Sequence, residues 1–302
     1  MSNVKLNGVL PVLAAPFDDT GKVCYSDLEK LIDFQIQHGA RGIVLFGFAT
    51  EFYKLSESEK LQMLQVSVRK VNGRVPVVAS ITEQCTELAV RKALEMEENG
   101  ANALMVLPPF LIPAGKAAFI NHVLTIANAV QIPIMVQYSP VETGVAIEAK
   151  VLADLMGQRS NLKYLKVECK PPGPMVSEIL RVKTSPIDIL VGYAGLQMID
   201  TLQRGAVGVM PGSSLTDIYC RIDHLYQNGN LEEAILLHNR LIPMLNFIFQ
   251  SIEMIIKWEK VILKRRGVIS SEYCRQPGYQ PDRVALELFE SYYRPLVERS
   301  IF

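Results

Sequence analysis

Eight short apolar segments, each rich in valine, isoleucine or leucine, recur along the chain. Segments with helical spacing lie between successive apolar segments, as at residues 25–39, 56–71 and 86–100. Strands that are apolar on both faces and alternate with helices belong to a parallel sheet that is covered on both sides. The predicted strands are GVLPVLAAPF (8–17), GIVLFGF (42–48), VPVVASIT (75–82), ALMVLPPF (103–110), IPIMVQYS (132–139), YLKVEC (164–169), IDILVGYAG (187–195) and AVGVMPGS (206–213).

The number of strand and helix units predicts the fold class. Eight such units close a parallel barrel, so we expect an α/β protein with a (β/α)8 TIM barrel. The residues after the last predicted strand have helical patterns at 231–250, 251–267 and 283–296. We therefore expect the barrel over residues 1–227, and a C-terminal helical extension packed on it over residues 228–302.

Charge and cysteine usage narrow the class of partner. Lys+Arg and Asp+Glu are 31 each, so no net field attracts nucleic acid or an anionic membrane, and we expect a small-molecule substrate instead. The apolar stretch near the start is too short to span a bilayer and is interrupted by Pro11 and Pro16, so we expect neither a signal peptide nor a membrane helix. The 5 cysteines include no CxxC pair, which favours reduced thiols in a cytoplasmic protein.

The segment YLKVEC contains a lysine in an otherwise apolar strand. If Leu165 and Val167 point outward to the helices, Tyr164, Lys166 and Glu168 point into the barrel. Active sites of this fold form at the carboxyl ends of the strands. Burial disfavours the charged form of a lysine, and the neutral amine attacks carbonyl groups. We therefore expect a Schiff-base lysine, with a lysine paired to a buried carboxylate as the alternative.

A tyrosine ends the preceding predicted strand. Parallel pairing puts Tyr138 on the strand next to Lys166, where a phenol could pass protons to and from the imine carbons and a leaving hydroxyl group. The alternative is a packing residue with a solvated hydroxyl group. The glycine-rich segment 205–217 precedes a helix, and we interpret it as a tight turn lining the substrate pocket, with a phosphate site as the alternative.

Three motifs, in this order, resemble the dihydrodipicolinate synthase and N-acetylneuraminate lyase family. They are the glycine and glutamate of Gly47–Glu51, the tyrosine, proline and Thr-Gly of Tyr138–Gly144, and the lysine and glutamate of Lys166–Glu168. The resemblance covers nearly the whole chain. It implies a class I lyase in which Lys166 forms an imine with a 2-oxo acid and Tyr138 is the acid/base. It also implies that backbone N–H groups of residues 47–50 hold the substrate carboxylate.

The resemblance has consequences for cofactors and assembly. A protonated imine nitrogen accepts electrons, so bonds at the neighbouring carbons break without a metal. The histidines are His38, His122, His224 and His238, which fall on predicted helices without ligand spacing. We therefore expect no metal and no other cofactor. Family members are usually homotetramers or homodimers, so an oligomer is expected.

The sequence departs from the family pattern at positions that bind substrate. Phe48 and Ala49 stand where the synthases have threonines, and Glu142 stands where they have an arginine. Residues 192–195 lack both carboxylates that the sialic acid lyases carry there. The chain is more similar to members that dehydrate 2-keto-3-deoxy sugar acids such as 2-keto-3-deoxyarabonate, and aldolases for the same substrates also belong to the family.

We therefore predict a dehydratase or aldolase of a 2-keto-3-deoxy sugar acid, with Lys166 and Tyr138 as catalytic residues. Glu168 either assists as an acid/base or forms a buried ion pair. The alternatives are a condensation of the synthase type and a non-catalytic barrel that binds a 2-oxo acid. The predicted substrate-binding residues are Gly47, Phe48, Ala49, Thr50, Glu168, Gly192, Met210, Pro211, Gly212 and Ser213.

Overall fold

The computed structural model describes residues 4–113 and 115–297, in which eight parallel strands form one sheet. The strands are β1 (Gly8–Val9), β2 (Ile43–Leu45), β3 (Val77–Ile81), β4 (Ala103–Val106), β5 (Ile134–Tyr138), β6 (Leu162–Val167), β7 (Asp188–Val191) and β8 (Gly208–Val209), and they pair in the order β1-β8-β7-β6-β5-β4-β3-β2. A parallel bridge between Val12 and Val44 joins the two edges of this sheet, where the Leu13 amide donates to the Val44 carbonyl at 2.9 Å. The sheet is therefore closed, and the predicted (β/α)8 barrel is confirmed.

Helices follow the strands around the outside of the barrel and continue beyond it. Local sequence signals explain some of their ends, as where Ser56 and Glu59 form a capping box at the start of the helix Glu57–Val71. The helices are α1 (Tyr25–Gln37), α2 (Glu57–Val71), α3 (Thr86–Glu98), α4 (Lys116–Ala129), α5 (Pro140–Thr143), α6 (Ala149–Met156), α7 (Pro172–Val182), α8 (Met198–Gln203), α9 (Thr216–Gln227), α10 (Leu231–Ile248), α11 (Ile252–Arg265) and α12 (Arg283–Val297). Within the described ranges, no helix combines the length and the hydropathy that crossing a membrane requires.

Side chains of each strand alternate between two apolar layers. Leu165 and Val167 of β6 pack in the layer between the strands and the helices, whereas Tyr164 packs in the barrel interior. The same alternation puts Met135 of β5 inside and Val136 outside. The alternation predicted for β6 is therefore confirmed, and the residues that follow Tyr164 at even positions face the interior.

The C-terminal helices pack against the barrel and reach the carboxyl ends of its strands. The predicted division after residue 227 falls at the end of α9, against which α10 packs. Helix α11 contacts the turn Phe48–Thr50 that follows β2, and its Trp258 stacks on Phe289 of α12 at a centroid distance of 4.5 Å. Helix α11 therefore lies over the carboxyl ends of the strands, where barrel active sites form.

Candidate active site

Lys166 faces a cleft at the carboxyl ends of the barrel strands. Only 5% of its surface is exposed, and its amine lies 3.0 Å from Oε1 of Glu168. The cleft has a cavity volume of about 60 Å³, and α11 contributes to its wall. The lysine is therefore buried in the barrel and lines this cleft, where it is paired with a carboxylate.

Glu168 is fixed from three sides. Besides the contact with Lys166, its carboxylate accepts a hydrogen bond from the Gln137 amide at 2.5 Å and one from the Tyr193 backbone N–H at 3.3 Å. A Cβ atom at Gly192 would lie 1.8 Å from Oε1, so only glycine leaves room for this carboxylate. The predicted residue Gly192 thus supports Glu168 and does not line the cleft.

The turn after β7 carries a strained backbone. Tyr193 and Ala194 have φ values of 49° and 52°, a region that residues other than glycine adopt rarely. The Tyr219 hydroxyl group donates to the Ala194 carbonyl at 2.5 Å, and the His238 ring bonds the Gly195 carbonyl at 2.9 Å. These contacts hold a turn that aims the Tyr193 N–H group at Glu168.

The Tyr193 side chain extends from this turn to Glu142. Its phenolic oxygen lies 3.3 Å from Oε2 of Glu142, and the Ser139 hydroxyl group donates to the same carboxylate oxygen. Burial raises the pKa of Tyr193 above its ordinary value, and the carboxylates of Glu142 and Glu168 raise it further. The phenol is therefore protonated at neutral pH and donates a hydrogen bond.

Tyr138, the predicted acid/base, ends β5 as expected, but its side chain points away from the cleft. Its ring packs with Val136 in the layer outside the barrel, and its phenolic oxygen accepts a hydrogen bond from the Ile147 N–H group at 3.2 Å. It borders a hollow on the outer surface with Cys169 and Pro171, not the cleft of Lys166. Side chains alternate between the two faces along β5. Because Met135 faces inward, Tyr138, which is an odd number of positions further along, faces outward.

Tyr138→Phe tests whether the Tyr138 hydroxyl group takes part in the reaction. We expect turnover to change less than about 3-fold, whereas loss of a general acid/base lowers the rate about 10²–10⁴-fold. The Ile147 N–H group loses its acceptor, so the free energy of unfolding should fall by about 1–2 kcal/mol. Steady-state kinetics and urea denaturation measure the two effects, and a 100-fold loss of turnover in a folded variant would restore the phenol to the mechanism.

The loop after β2 contributes two of its four predicted residues to the cleft. Phe48 and Ala49 line it. Thr50 is fully buried and its hydroxyl group donates to the Leu13 carbonyl at 2.7 Å, which ties the loop to the end of β1. A Cβ atom at Gly47 would lie 2.7 Å from Val12, so glycine allows the loop to pack closely there. Thr50 and Gly47 therefore support the loop rather than line the cleft.

The loop after β8 also contains both residues that line the cleft and a buried residue that supports the loop. Met210, Pro211 and Gly212 line the cleft, whereas Ser213 is fully buried and accepts a hydrogen bond from the Ala14 N–H group at 3.2 Å. Glu259 of α11 lies behind this loop and accepts a hydrogen bond from the Ser214 N–H group at 2.8 Å. Burial raises the pKa of Glu259 to about 7.

Several cleft residues were not among the predicted site residues. Ser139, Glu142 and Tyr193 come from the loops after β5 and β7. Phe249, Ile252 and Ile255 come from the C-terminal extension. The alternation along β5 predicts an inward direction for Gln137 and Ser139, so that signal was present in the sequence. In the part of the chain that the structure describes, no group of three or more His, Cys, Asp or Glu side chains is arranged to hold a metal.

Comparison with known proteins agrees with this architecture. The L-2-keto-3-deoxyarabonate dehydratase of Azospirillum brasilense is 26% identical over 91% of this chain and 90% of its own length. The 4-hydroxy-tetrahydrodipicolinate synthase of Bacillus subtilis is 26% identical over 82% of this chain and 86% of its own length. The crystal structure of a putative dihydrodipicolinate synthetase from Pseudomonas aeruginosa has the same fold, with a TM-score of 0.90, 21% identity and coverage of 97% and 100% of the two chains. Because the model of the dihydrodipicolinate synthetase family matches residues 5–287, this chain belongs to that family, and it is a lyase of the family's type.

Proposed function

We propose that this protein is a class I lyase that forms a Schiff base between Lys166 and a 2-oxo acid, and that it dehydrates a short 2-keto-3-deoxy sugar acid. The observation that carries the proposal is the amine of Lys166, which is buried in the barrel, lines the cleft and lies 3.0 Å from a fixed carboxylate. The name of the Azospirillum relative supports this choice of substrate class.

Glu168 is suited to the proton transfers next to the imine. Carbon 2 of the substrate is bonded to the lysine nitrogen, so carbon 3 lies one bond further along, close to the Glu168 carboxylate. Removal of a carbon 3 proton gives an enamine, which expels the hydroxyl group of carbon 4 as water once that group is protonated. Glu168 therefore replaces Tyr138 as the proposed acid/base.

Backbone groups are suited to hold the substrate carboxylate. Phe48 and Ala49 begin a short 3₁₀ turn at the cleft, and the first hydrogen bond of that turn is donated by the Thr50 N–H group to the Gly47 carbonyl at 2.9 Å. The N–H groups at the start of such a turn have no partner within it. We propose that they bind the carboxylate at carbon 1, which is the role that the family resemblance implies for this loop.

Aldol cleavage starts from the same imine but breaks a carbon–carbon bond instead of the bond to the hydroxyl group. In cleavage, the hydroxyl group of carbon 4 loses its proton and the bond between carbons 3 and 4 breaks, which yields pyruvate. Dehydration of a five-carbon substrate keeps the chain intact and yields a semialdehyde. Product identification with a panel of 2-keto-3-deoxy acids separates the two reactions.

Borohydride trapping tests the imine directly. Incubation with pyruvate and reduction should give a covalent mass increase, and Lys166→Ala should abolish it. Lys163→Ala is the matched control, because Lys163 is on the same strand but exposed, and it should be trapped like the parent protein. Absence of an adduct in the parent protein, or its persistence in Lys166→Ala, would contradict the proposed function.

The assembly and the compartment are also proposals. Leu111 and Ile112 follow β4 with 76% and 82% of their surfaces exposed, and exposed apolar residues of this size are commonly covered by another chain. This supports a homodimer or homotetramer. All five cysteines are free, and Cys85 is exposed, which supports a reducing cytoplasm.

A further inference from the structure

We propose that Glu142, with Tyr193 and Ser139, selects substrates whose far end carries a hydroxyl group and rejects those whose far end carries a second carboxylate. The inference rests on the proposed function, because an imine at Lys166 fixes where the substrate chain begins. It narrows the substrate class to 2-keto-3-deoxy acids with one carboxylate and a hydroxyl group at the far carbon.

Tyr193 connects the two ends of the cleft. Its backbone N–H group donates to Glu168, which lies beside the Lys166 amine, and its phenolic oxygen lies 3.3 Å from Glu142. The two carboxylates are therefore at opposite ends of one tyrosine residue. A substrate of five or six carbons, attached at Lys166 and extending along Tyr193, brings its far end to Glu142.

The groups around Glu142 favour a hydroxyl group at this position. Its carboxylate accepts hydrogen bonds from the Ser139 hydroxyl group and the Tyr193 phenol. An ionised carboxylate offers about four lone-pair sites, so two donors leave acceptor capacity on a side chain that lines the cleft. A substrate hydroxyl group donates to these remaining sites, and a hydrogen bond to a charged acceptor is stronger than one to a neutral acceptor.

The charges of the cleft disfavour a second carboxylate. Among the described residues that line it, Lys166 is the single cationic side chain, and it is used by the imine. Lys170 lies 4.8 Å from the centre of the Tyr193 ring, but it borders the hollow outside the barrel. A carboxylate at the far end of a substrate would therefore meet Glu142 without a cation in the cleft to neutralise it.

Two matched 2-oxo acids measure the effect of the substrate's far end on binding without the dehydration step. Both 5-hydroxy-2-oxopentanoate and 2-oxoglutarate form an imine at carbon 2 and have no hydroxyl group at carbon 4 to lose, and they differ at carbon 5. Borohydride trapping at increasing concentration gives a half-saturation value for each. In the parent protein we expect the value for the hydroxyl probe to be at least 10-fold lower, on the order of one charge-assisted hydrogen bond.

Glu142→Gln removes the charge and keeps the shape. We expect it to raise the half-saturation value for the hydroxyl probe and to lower that for 2-oxoglutarate, so that the two agree within about 3-fold. Tyr193→Phe should weaken binding of the hydroxyl probe without improving that of 2-oxoglutarate, because the charge remains. Glu148→Gln is the control, because Glu148 follows in the same connection but is exposed and pairs with Lys116. It should leave both values unchanged.

Pyruvate separates the failure of this inference from the failure of the proposed function. Pyruvate has no far end to reach Glu142, so each half-saturation value is divided by the value for pyruvate in the same protein, and trapping of pyruvate by Glu142→Gln shows that this variant is folded. If the parent protein does not trap pyruvate, the proposed function fails and this inference fails with it. If pyruvate is trapped but the parent protein does not distinguish the probes, or Glu142→Gln keeps the original ratio, only the inference is overturned.

Discussion

Glu168→Gln is expected to slow proton exchange at carbon 3 of pyruvate by about 10³-fold, in the middle of the range for loss of a general base. The carboxylate of Glu168 is held beside the imine nitrogen by Gln137 and the Tyr193 N–H group, and it lies 3.0 Å from the Lys166 amine. An amide has nearly the same shape and its oxygen still accepts a hydrogen bond from the Tyr193 N–H group, but it does not accept a proton from carbon 3. Imine formation should therefore persist while enamine formation slows.

Two measurements separate these steps. Exchange of the pyruvate methyl protons in deuterium oxide, followed by NMR, reports the enamine, and borohydride trapping reports the imine. Glu178→Gln on α7 is the control, because this carboxylate is on the surface and pairs with Arg181. A variant that exchanges protons within 10-fold of the parent rate would assign the base to another residue, whereas one that loses trapping would give Glu168 a structural role.

The sequence predicted the fold and the lysine because both depend on local periodicity. Alternation of apolar and polar residues placed Lys166 inside the barrel, and this orientation is observed. The same rule applied to β5 places Gln137 inside, since Ile134 and Val136 are the residues that pack outside. The choice of Tyr138 followed the chemistry of a phenol instead of the strand geometry, and the structure places that side chain outside the cleft.

The rest of the cleft depends on contacts between distant parts of the chain. Helical spacing shows that α11 has an apolar face, but it does not show which surface that face covers, so Ile252 and Ile255 could not be placed at the cleft. The strained backbone of Tyr193 and Ala194 is held by hydrogen bonds from α9 and α10. Such a turn has no local sequence signal, because the tertiary contacts impose it.

Lys260→Met is expected to lower the free energy of unfolding by about 3–5 kcal/mol, the range for breaking a buried ion pair from one side. Lys260 and Glu51 are both fully buried and bonded to each other, and the amine also donates to the Tyr273 carbonyl at 2.9 Å. Burial lowers the pKa of Lys260 from its usual range, and the charge of Glu51 opposes this. Without the lysine, Lys54, at 3.2 Å, is the one cationic partner that Glu51 keeps within ion-pair distance in residues 4–113 and 115–297.

A double-variant cycle distinguishes a lost charge partner from lost packing. Glu51→Gln combined with Lys260→Met removes both charges. The free energy of unfolding of this double variant should therefore be at least about 1.5 kcal/mol higher than that of Lys260→Met alone. Lys264→Met, at a more exposed position of α11, should stay within about 0.5 kcal/mol of the parent protein.

Because Glu51 directly follows the turn that carries Phe48 and Ala49, the loss of its ion pair with Lys260 should also raise the half-saturation value for pyruvate trapping. Urea denaturation and trapping measure the two effects, and a loss below 1 kcal/mol with unchanged trapping would show that α11 does not hold this loop through Lys260.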